Sequence, residues 1–424
     1  MTFIFIVFRP YHVISSYNII RAIKNKHPDA KCIGYISNST DEFWDDLFDY
    51  DKIFDERYYS LNLFLEKSIF NIGNVLHNNI KIKSQINTLY EANPKVDGII
   101  TFSDNWKIFQ DIAVKYKNVT KNCIVMDEGT ALYCKNTATE ASNLRKLFRK
   151  VTYGWNFENC SMGEHSRTIK IYANYPEKVK AKSRKVYSMP KLDYLNILET
   201  LKIKSERVDS NKKKCLYISS PTYFLNNVDK ANSIKSTMEL FEILSKNGIE
   251  IFFKMHPANE TLDDIKIYLD RFKNIKVIED QSIPVELLCF TNKFDYIISP
   301  LSSALLNLAN FKFNCISLPY FADRFLQFKE ILELFKTNGI KVAMNKDELI
   351  SIIKLYETNS QRENLKDKDV KYNKLDINNK INTNNKLNTN NKLNTNSEIN
   401  TNKEINDNQH EIDDNSEFIK SFIN

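Results

Sequence analysis

The feature that most constrains this chain is an alternation that runs through it twice. Short apolar runs rich in Ile, Val and Phe alternate with stretches whose apolar residues recur at helical spacing. In the first half the strand-like runs are TFIFIVF (2–8), KCIGYIS (31–37), DKIFDE (51–56), VDGIITFS (96–103) and NCIVMDEG (122–129). Helix patterns separate them. SSYNIIRAIKNK (15–26) has Ser15 or Ser16 as its N-cap, and STDEFWDDLF (39–48) opens on Ser39 or Thr40 with acids in its first turn. A longer helical stretch covers 61–92, and NWKIFQDIAVKY follows at 105–116. Residues 134–175 fit no clean period, but they contain the basic and aromatic stretch NLRKLFRKVTYGW (143–155). Parallel strands need crossover helices, so this order predicts an α/β fold with a doubly wound parallel sheet.

The alternation restarts near residue 212. KKCLYISSP (213–221), IEIFFKMHP (249–257), IKVIED (275–280), FDYIISP (294–300) and NCISLPY (314–320) read as strands, the last closing the sheet. Helices are expected at 233–248, 260–272, 284–291 and 302–311, with Gly248 ending the first and Pro284 starting the third. Two Rossmann-like domains follow, 1–190 and 212–355, facing each other across a cleft. Ligands of such sheets bind beyond the carboxyl ends of the strands. The tail, 360–424, differs in kind. An apolar residue returns every six positions (Leu375, Ile381, Leu387, Leu393, Ile399, Ile405) among Asn, Thr and Lys. That period suits neither helix nor strand, and the composition predicts a disordered repeat without catalytic residues.

Composition excludes several classes. No run of 18 apolar residues is present, and TFIFIVF meets Arg9-Pro10 too early for a signal peptide, so a cytoplasmic chain is expected. The net charge of +7 suits an anionic substrate or a peripheral contact with the inner membrane, and it is too small to argue for nucleic acid. The seven cysteines include no CxxC pair, and the six histidines include no HxxxH pair. Reduced structural thiols and no protein-held metal or cofactor are therefore expected. A homodimer is compatible with everything in the sequence.

Four stretches at predicted strand ends or helix starts carry candidate chemistry. Asp127-Glu128-Gly129 follows a strand, and the glycine permits a turn that sets a carboxylate at the sheet edge. Such a carboxylate can take a proton from a sugar hydroxyl, although a capping acid before a turn glycine is the plain alternative. In FFKMHPAN, Lys254 and His256 stand two apart on one strand and hence on one face, suited to a departing phosphate. Lys26-His27-Pro28 sets another lysine and histidine before a proline, in a polar turn, and is given no function. In SIPVELLCF, Glu286 occupies the first turn of a short helix, where it either accepts ribose hydroxyls or simply complements the helix dipole. In SPLSSALLN, Ser302 and Ser303 open a helix, as an anion site or as an N-cap. Ser219 and Ser220, in the Ser-Ser-Pro loop after the first strand of the second unit, join the donor-side candidates.

The acid-acid-Gly, Lys-x-His-Pro and Ser-Ser motifs, in this order, resemble bacterial sialyltransferases of the twin-Rossmann (GT-B) type. Over about residues 1–355 the chain is most similar to glycosyltransferase family 52, the lipooligosaccharide sialyltransferases. The resemblance implies an inverting sialyltransferase using CMP-sialic acid and a terminal galactose-type acceptor on a bacterial surface glycan. It implies that Glu128, or else Asp127, is the base. His256, Ser302 and Ser303 would hold the donor phosphate, and Glu286 the ribose. A polysialyl or capsule transferase, a transferase of another nucleotide sugar, and a non-catalytic sugar-nucleotide-binding or adhesive protein are the rival readings.

Overall fold

The computed structural model describes residues 1–356 apart from 39–43, 62–71, 119–121, 134–142, 182, 191–196, 198, 203–211, 221–229, 257–259, 281–282 and 320–328. The hexad tail and Pro257 lie outside the described residues. The first sheet has seven strands: β1 (Thr2–Val7), β2 (Lys31–Asn38), β3 (Glu56–Leu61), β4 (Gly98–Thr101), β5 (Cys123–Met126), β6 (Thr168–Ala173) and β7 (Lys185–Ser188). They run in the spatial order β3-β2-β1-β4-β5-β6-β7, all parallel. The helices of this half are α1 (Pro10–Lys26), α2 (Ile72–Ala92), α3 (Lys107–Lys115) and α4 (Asn143–Tyr153).

The second sheet repeats the plan with six strands. These are β8 (Lys214–Ile218), β9 (Glu250–Lys254), β10 (Ile275–Ile278), β11 (Tyr296–Ser299), β12 (Cys315–Ser317) and β13 (Lys341–Val342). Their order is β10-β9-β8-β11-β12-β13, again all parallel. Helices α5 (Lys230–Lys246), α6 (Leu262–Arg271), α7 (Val285–Thr291), α8 (Ala304–Asn310) and α9 (Lys329–Thr337) connect them. Strand order reverses between β1 and β4 in one sheet and between β8 and β11 in the other. Those switch points open a crevice at the carboxyl edge of each sheet.

The central strands are buried on both faces, as helix-covered parallel strands must be; Ile4 to Val7 and Cys215 to Leu216 are fully enclosed. One apolar cluster contains side chains from both halves, with Val125, Leu132 and Ile171 packed among Leu216, Ile218 and Leu305. The two sheets are therefore pressed together and not merely tethered. Lys180 pairs with Glu330 across the same junction at 3.2 Å.

Several sequence expectations shift. Helix α1 starts at Pro10, not at Ser15 or Ser16, which lie buried inside it. Pro10 fixes the first helical φ and loses no bond there, and Arg9 before it is extended. The expected helix at 39–48 falls partly outside the described residues, and 44–48 form turns, with Trp44 at φ +60° and Phe48 bridging Leu201. The strand expected at 51–56 begins only at Glu56, because Tyr50–Lys52 coil into a 3-10 turn. Of the helical stretch expected over 61–92, Leu61 ends β3, 62–71 lie outside the described residues, and α2 covers the rest from Ile72. Helix α4 and strand β6 lie within the stretch that showed no period, and β7 follows it. NCISLPY does not close its sheet: β13 does, and two residues are too few to show an alternation.

Candidate active site

The turn after β5 sets the first half of the site. Gly129 has φ +122°, a conformation that a side chain would strain, and a Cβ there would lie 2.8 Å from Cβ of Ser303. This turn thus touches the Ser302-Ser303 loop of the other sheet, and it separates two acids that are neighbours in sequence. Asp127 turns inward. Its carboxylate accepts from the Gly129 N–H (2.8 Å), the Asn174 N–H (2.9 Å) and side-chain amide (3.0 Å), and the Tyr133 hydroxyl. It is almost wholly buried, and burial raises its carboxyl above the ordinary value despite these donors. With both oxygens engaged, Asp127 braces the turn.

Glu128 turns the other way, towards the start of α1. Its Oε1 lies 3.4 Å from the Arg9 guanidinium and 3.6 Å from His12 Nε2. Burial pushes its carboxyl up, but His12, Arg9 and Ser103 together outweigh burial and hold it below the ordinary carboxylate value. His12 is fully buried and stacked flat on Phe102, with ring centroids 4.2 Å apart. Its Nδ1 accepts the Phe8 N–H at 3.1 Å, so the proton of the neutral ring sits on Nε2, facing Glu128. Burial lowers the imidazole, more than the neighbouring carboxylate raises it, and the ring stays neutral at neutral pH.

Arg9 and His12 are site residues that the sequence reading missed. The signal was Arg9-Pro10. A proline directly after a strand marks the first helical position, which puts His12 in the first turn at the carboxyl edge of β1. Starting the helix at Ser15 moved His12 out of view. Asp104, past β4, is a third buried acid. It accepts from Gly163 N–H, His165 N–H and Thr168 hydroxyl at 2.8, 3.2 and 2.7 Å, and it ties down the approach to β6.

The second half of the site lies where β8, β9 and β11 end. Lys254, the last residue of β9, is buried, and its ammonium donates to the Asp280 carbonyl. Burial lowers it to about 8. His256 lies two residues beyond the strand, so strand alternation does not set its side chain, contrary to the same-face expectation. Its N–H donates instead to Glu260 Oε2 at 2.6 Å. Glu260 Oε1 accepts the Ser219 hydroxyl at 2.7 Å, and Ser219 N–H reaches the Lys254 carbonyl at 3.0 Å. Glu260, unmarked by any motif, therefore joins the ends of β8 and β9.

The Ser220 hydroxyl approaches the Leu301 carbonyl at 3.5 Å, beside Ser302, whose own oxygen accepts the Ala304 N–H at 3.3 Å. Helix α8 has seven residues, so its hydroxyls rather than its dipole are what this loop offers an anion. Glu286 is buried between α7 and α8, where one oxygen accepts the Asn307 amide at 2.8 Å and burial raises its carboxyl.

Two parallel sheets, with a carboxylate turn at one carboxyl edge and hydroxyls and a lysine at the other, make the twin-Rossmann layout of the GT-B fold, and the family match below makes the chain an enzyme of the GT-B glycosyltransferase class. The model of the alpha-2,8-polysialyltransferase family matches residues 3–320, and the chain belongs to that family. No curated protein matches the chain. Solved structures agree on the fold. A Listeria monocytogenes protein assigned as a UDP-N-acetylglucosamine 2-epimerase superposes with a TM-score of 0.55 at 11% identity, over 85% of this chain and 89% of that one. The S. aureus MnaA–UDP complex gives 0.52 at 13%, over 83% and 87%. The UDP-GlcNAc 2-epimerase of Neisseria meningitidis bound to UDP-GlcNAc gives 0.50 at 13%, over 84% and 100%. At such identities the likeness is one of fold alone.

Proposed function

We propose that the chain extends a sialylated glycan, moving sialic acid from CMP-sialic acid onto a hydroxyl of an existing sialic acid. The family supports this reading above transfer to a terminal galactose. The observation that carries the choice of acceptor is Arg9. Its side chain is 58% exposed beside Glu128, where the attacking hydroxyl would sit. A sialyl acceptor brings a carboxylate for that guanidinium, and galactose brings none.

In this reading residues 1–190 serve the acceptor and 212–355 hold the donor. Glu128 takes the proton from the acceptor hydroxyl as its oxygen attacks the anomeric carbon from the face opposite CMP. The bond from that carbon to the phosphate oxygen breaks, and its electron pair leaves with CMP. Lys254, His256, Ser302 and Ser303 receive the growing phosphate charge, with Ser219 and Ser220 shaping the loop behind them. Glu286, held by Asn307, meets a ribose hydroxyl. Acceptor carboxylate bound to Arg9 also draws that cation away from Glu128, which raises the basicity of the carboxylate when substrate is in place.

The test offers the full chain CMP-sialic acid with oligosialic acid or with a galactoside, and reads both products and CMP release. Transfer to oligosialic acid is expected, and Arg9→Gln should raise its KM roughly tenfold or more. Transfer to the galactoside alone would overturn the acceptor, and turnover of UDP-sugars alone would overturn the donor.

A further inference from the structure

Away from the cleft, one surface joins bare apolar side chains to lysines. Leu147, Val151 and Trp155 are 50%, 63% and 74% exposed. Leu147 and Val151 stand four apart on α4 and form one stripe, and Trp155 continues it two residues past the helix end. Single exposed apolar residues are ordinary, but a contiguous group is not. Lys117, Lys146 and Lys150 line the same shallow groove. Its acid, Glu158, already accepts the Ser166 N–H at 2.8 Å.

We propose that this face docks the protein on an anionic lipid bilayer. Charge complementarity selects that occupant. Lysine stems lie along apolar surface while their ammonium groups reach outward to phosphate headgroups, and a tryptophan suits the boundary between acyl chains and water. Among the described residues no helix is long and apolar enough to cross a membrane, so this attachment is peripheral.

The topology also orients the molecule. Helix α3 runs from the carboxyl end of β4 back to the amino end of β5, so Lys117 just beyond it marks the amino edge of the first sheet. Arg9 and Glu128 stand at the opposite, carboxyl edge. The docked face therefore leaves the cleft uncovered and turned away from lipid, open to an acceptor whose reacting end projects from the membrane. The docking surface itself does not depend on the sialyl reading.

The experiment is sedimentation of the full chain with vesicles of phosphatidylglycerol and phosphatidylethanolamine, against vesicles of phosphatidylcholine. Wild type should sediment with the first and not the second. Lys146→Glu with Lys150→Glu should weaken the partition roughly tenfold or more, and Leu147→Ser with Val151→Ser and Trp155→Ser should abolish it. Both variants should keep wild-type turnover of soluble substrates. Brominated lipid should quench wild-type tryptophan fluorescence, and Trp155→Phe should remove that quenching. Failure of wild type to sediment, equal binding to both vesicle types, or variants that bind like wild type would each overturn the proposal. So would quenching that survives Trp155→Phe.

Discussion

The carboxyl edges of the two sheets share one strand order and carry opposite chemistry. At the first edge acids are held by donors: Asp127 by Gly129, Asn174 and Tyr133, and Glu128 beside Arg9 and His12. At the second edge donors are held by oxygens: Lys254 by a carbonyl, Ser219 and the His256 N–H by Glu260. Burial acts on both and moves the groups differently. It raises Asp127 and lowers Lys254, while Glu128, beside the Arg9 guanidinium and the His12 ring N–H, ends below its ordinary value. The comparison teaches that the scaffold fixes where a site lies, and that the residues just past each strand decide which charge it welcomes. An edge of depressed carboxylate suits an incoming hydroxyl, and an edge of hydroxyls and lysine suits a departing phosphate.

The sharpest way to break this division is at the acid pair. Glu128→Gln should cut transfer roughly 10²–10⁴-fold, the usual worth of a general base, with the thermal midpoint nearly unchanged. Asp127→Asn should instead lower stability, by about 1–3 kcal/mol, since it disturbs a buried set of hydrogen bonds. Steady-state rates and thermal melts of both variants decide the matter. If Asp127→Asn is as inactive as Glu128→Gln while equally stable, the roles assigned to the two acids are reversed.

On the second edge, His256→Ala should cost roughly 10²–10³-fold in turnover, as loss of a donor to developing charge does elsewhere. His27→Ala, at another histidine before a proline, should cost nothing measurable, because His27 follows α1 at the opposite end from the site. Equal turnover in the two variants would take His256 out of the reaction.

The contact between the edges can be loosened directly. Gly129→Ala forces a side chain onto φ +122° and against Ser303, at a cost of about 1–3 kcal/mol of strain. Denaturant unfolding should show that loss, and transfer should fall with it as the turn shifts Glu128. An alanine variant as stable and active as wild type would mean that the two edges do not need this closeness.

A smaller effect lies in pH. Lys254 is cationic below about 8 and neutral above it, the reverse of an ordinary lysine at mildly alkaline pH. Its proposed hold on the phosphate is therefore present below that pH and fades as pH rises through it. The kcat/KM for CMP-sialic acid should show a descending limb near 8, and Lys254→Arg should move the limb upward, because a guanidinium stays charged. A limb that stays in place in that variant belongs to another group.

Much of the scaffold was legible because buried parallel strands advertise themselves. TFIFIVF, KCLYIS and DYIIS each read as strands and became β1, β8 and β11. What hid was short or polar. Strand β6 carries a buried Lys170 that breaks its apolar run, and β13 has two residues. The site was half legible for a related reason. Asp127-Glu128-Gly129 and Ser302-Ser303 sit in local motifs, whereas Arg9, His12 and Glu260 reach the cleft only through folding. No local pattern shows that Phe8 N–H will fix a histidine ring against Phe102, or that a glutamate just before α6 will bind Ser219. Nor does sequence show that two adjacent acids part on either side of one turn.

The account rests on a division of labour: the first edge acts on the acceptor, and the second holds the donor. The most direct measurement is calorimetric binding of CMP to Glu128→Gln and Lys254→Met side by side. Glu128→Gln should bind CMP as wild type does, while Lys254→Met should bind it roughly tenfold more weakly or worse, the loss expected for a charge-assisted contact. Equal weakening in both variants, or weakening in Glu128→Gln alone, would contradict the division.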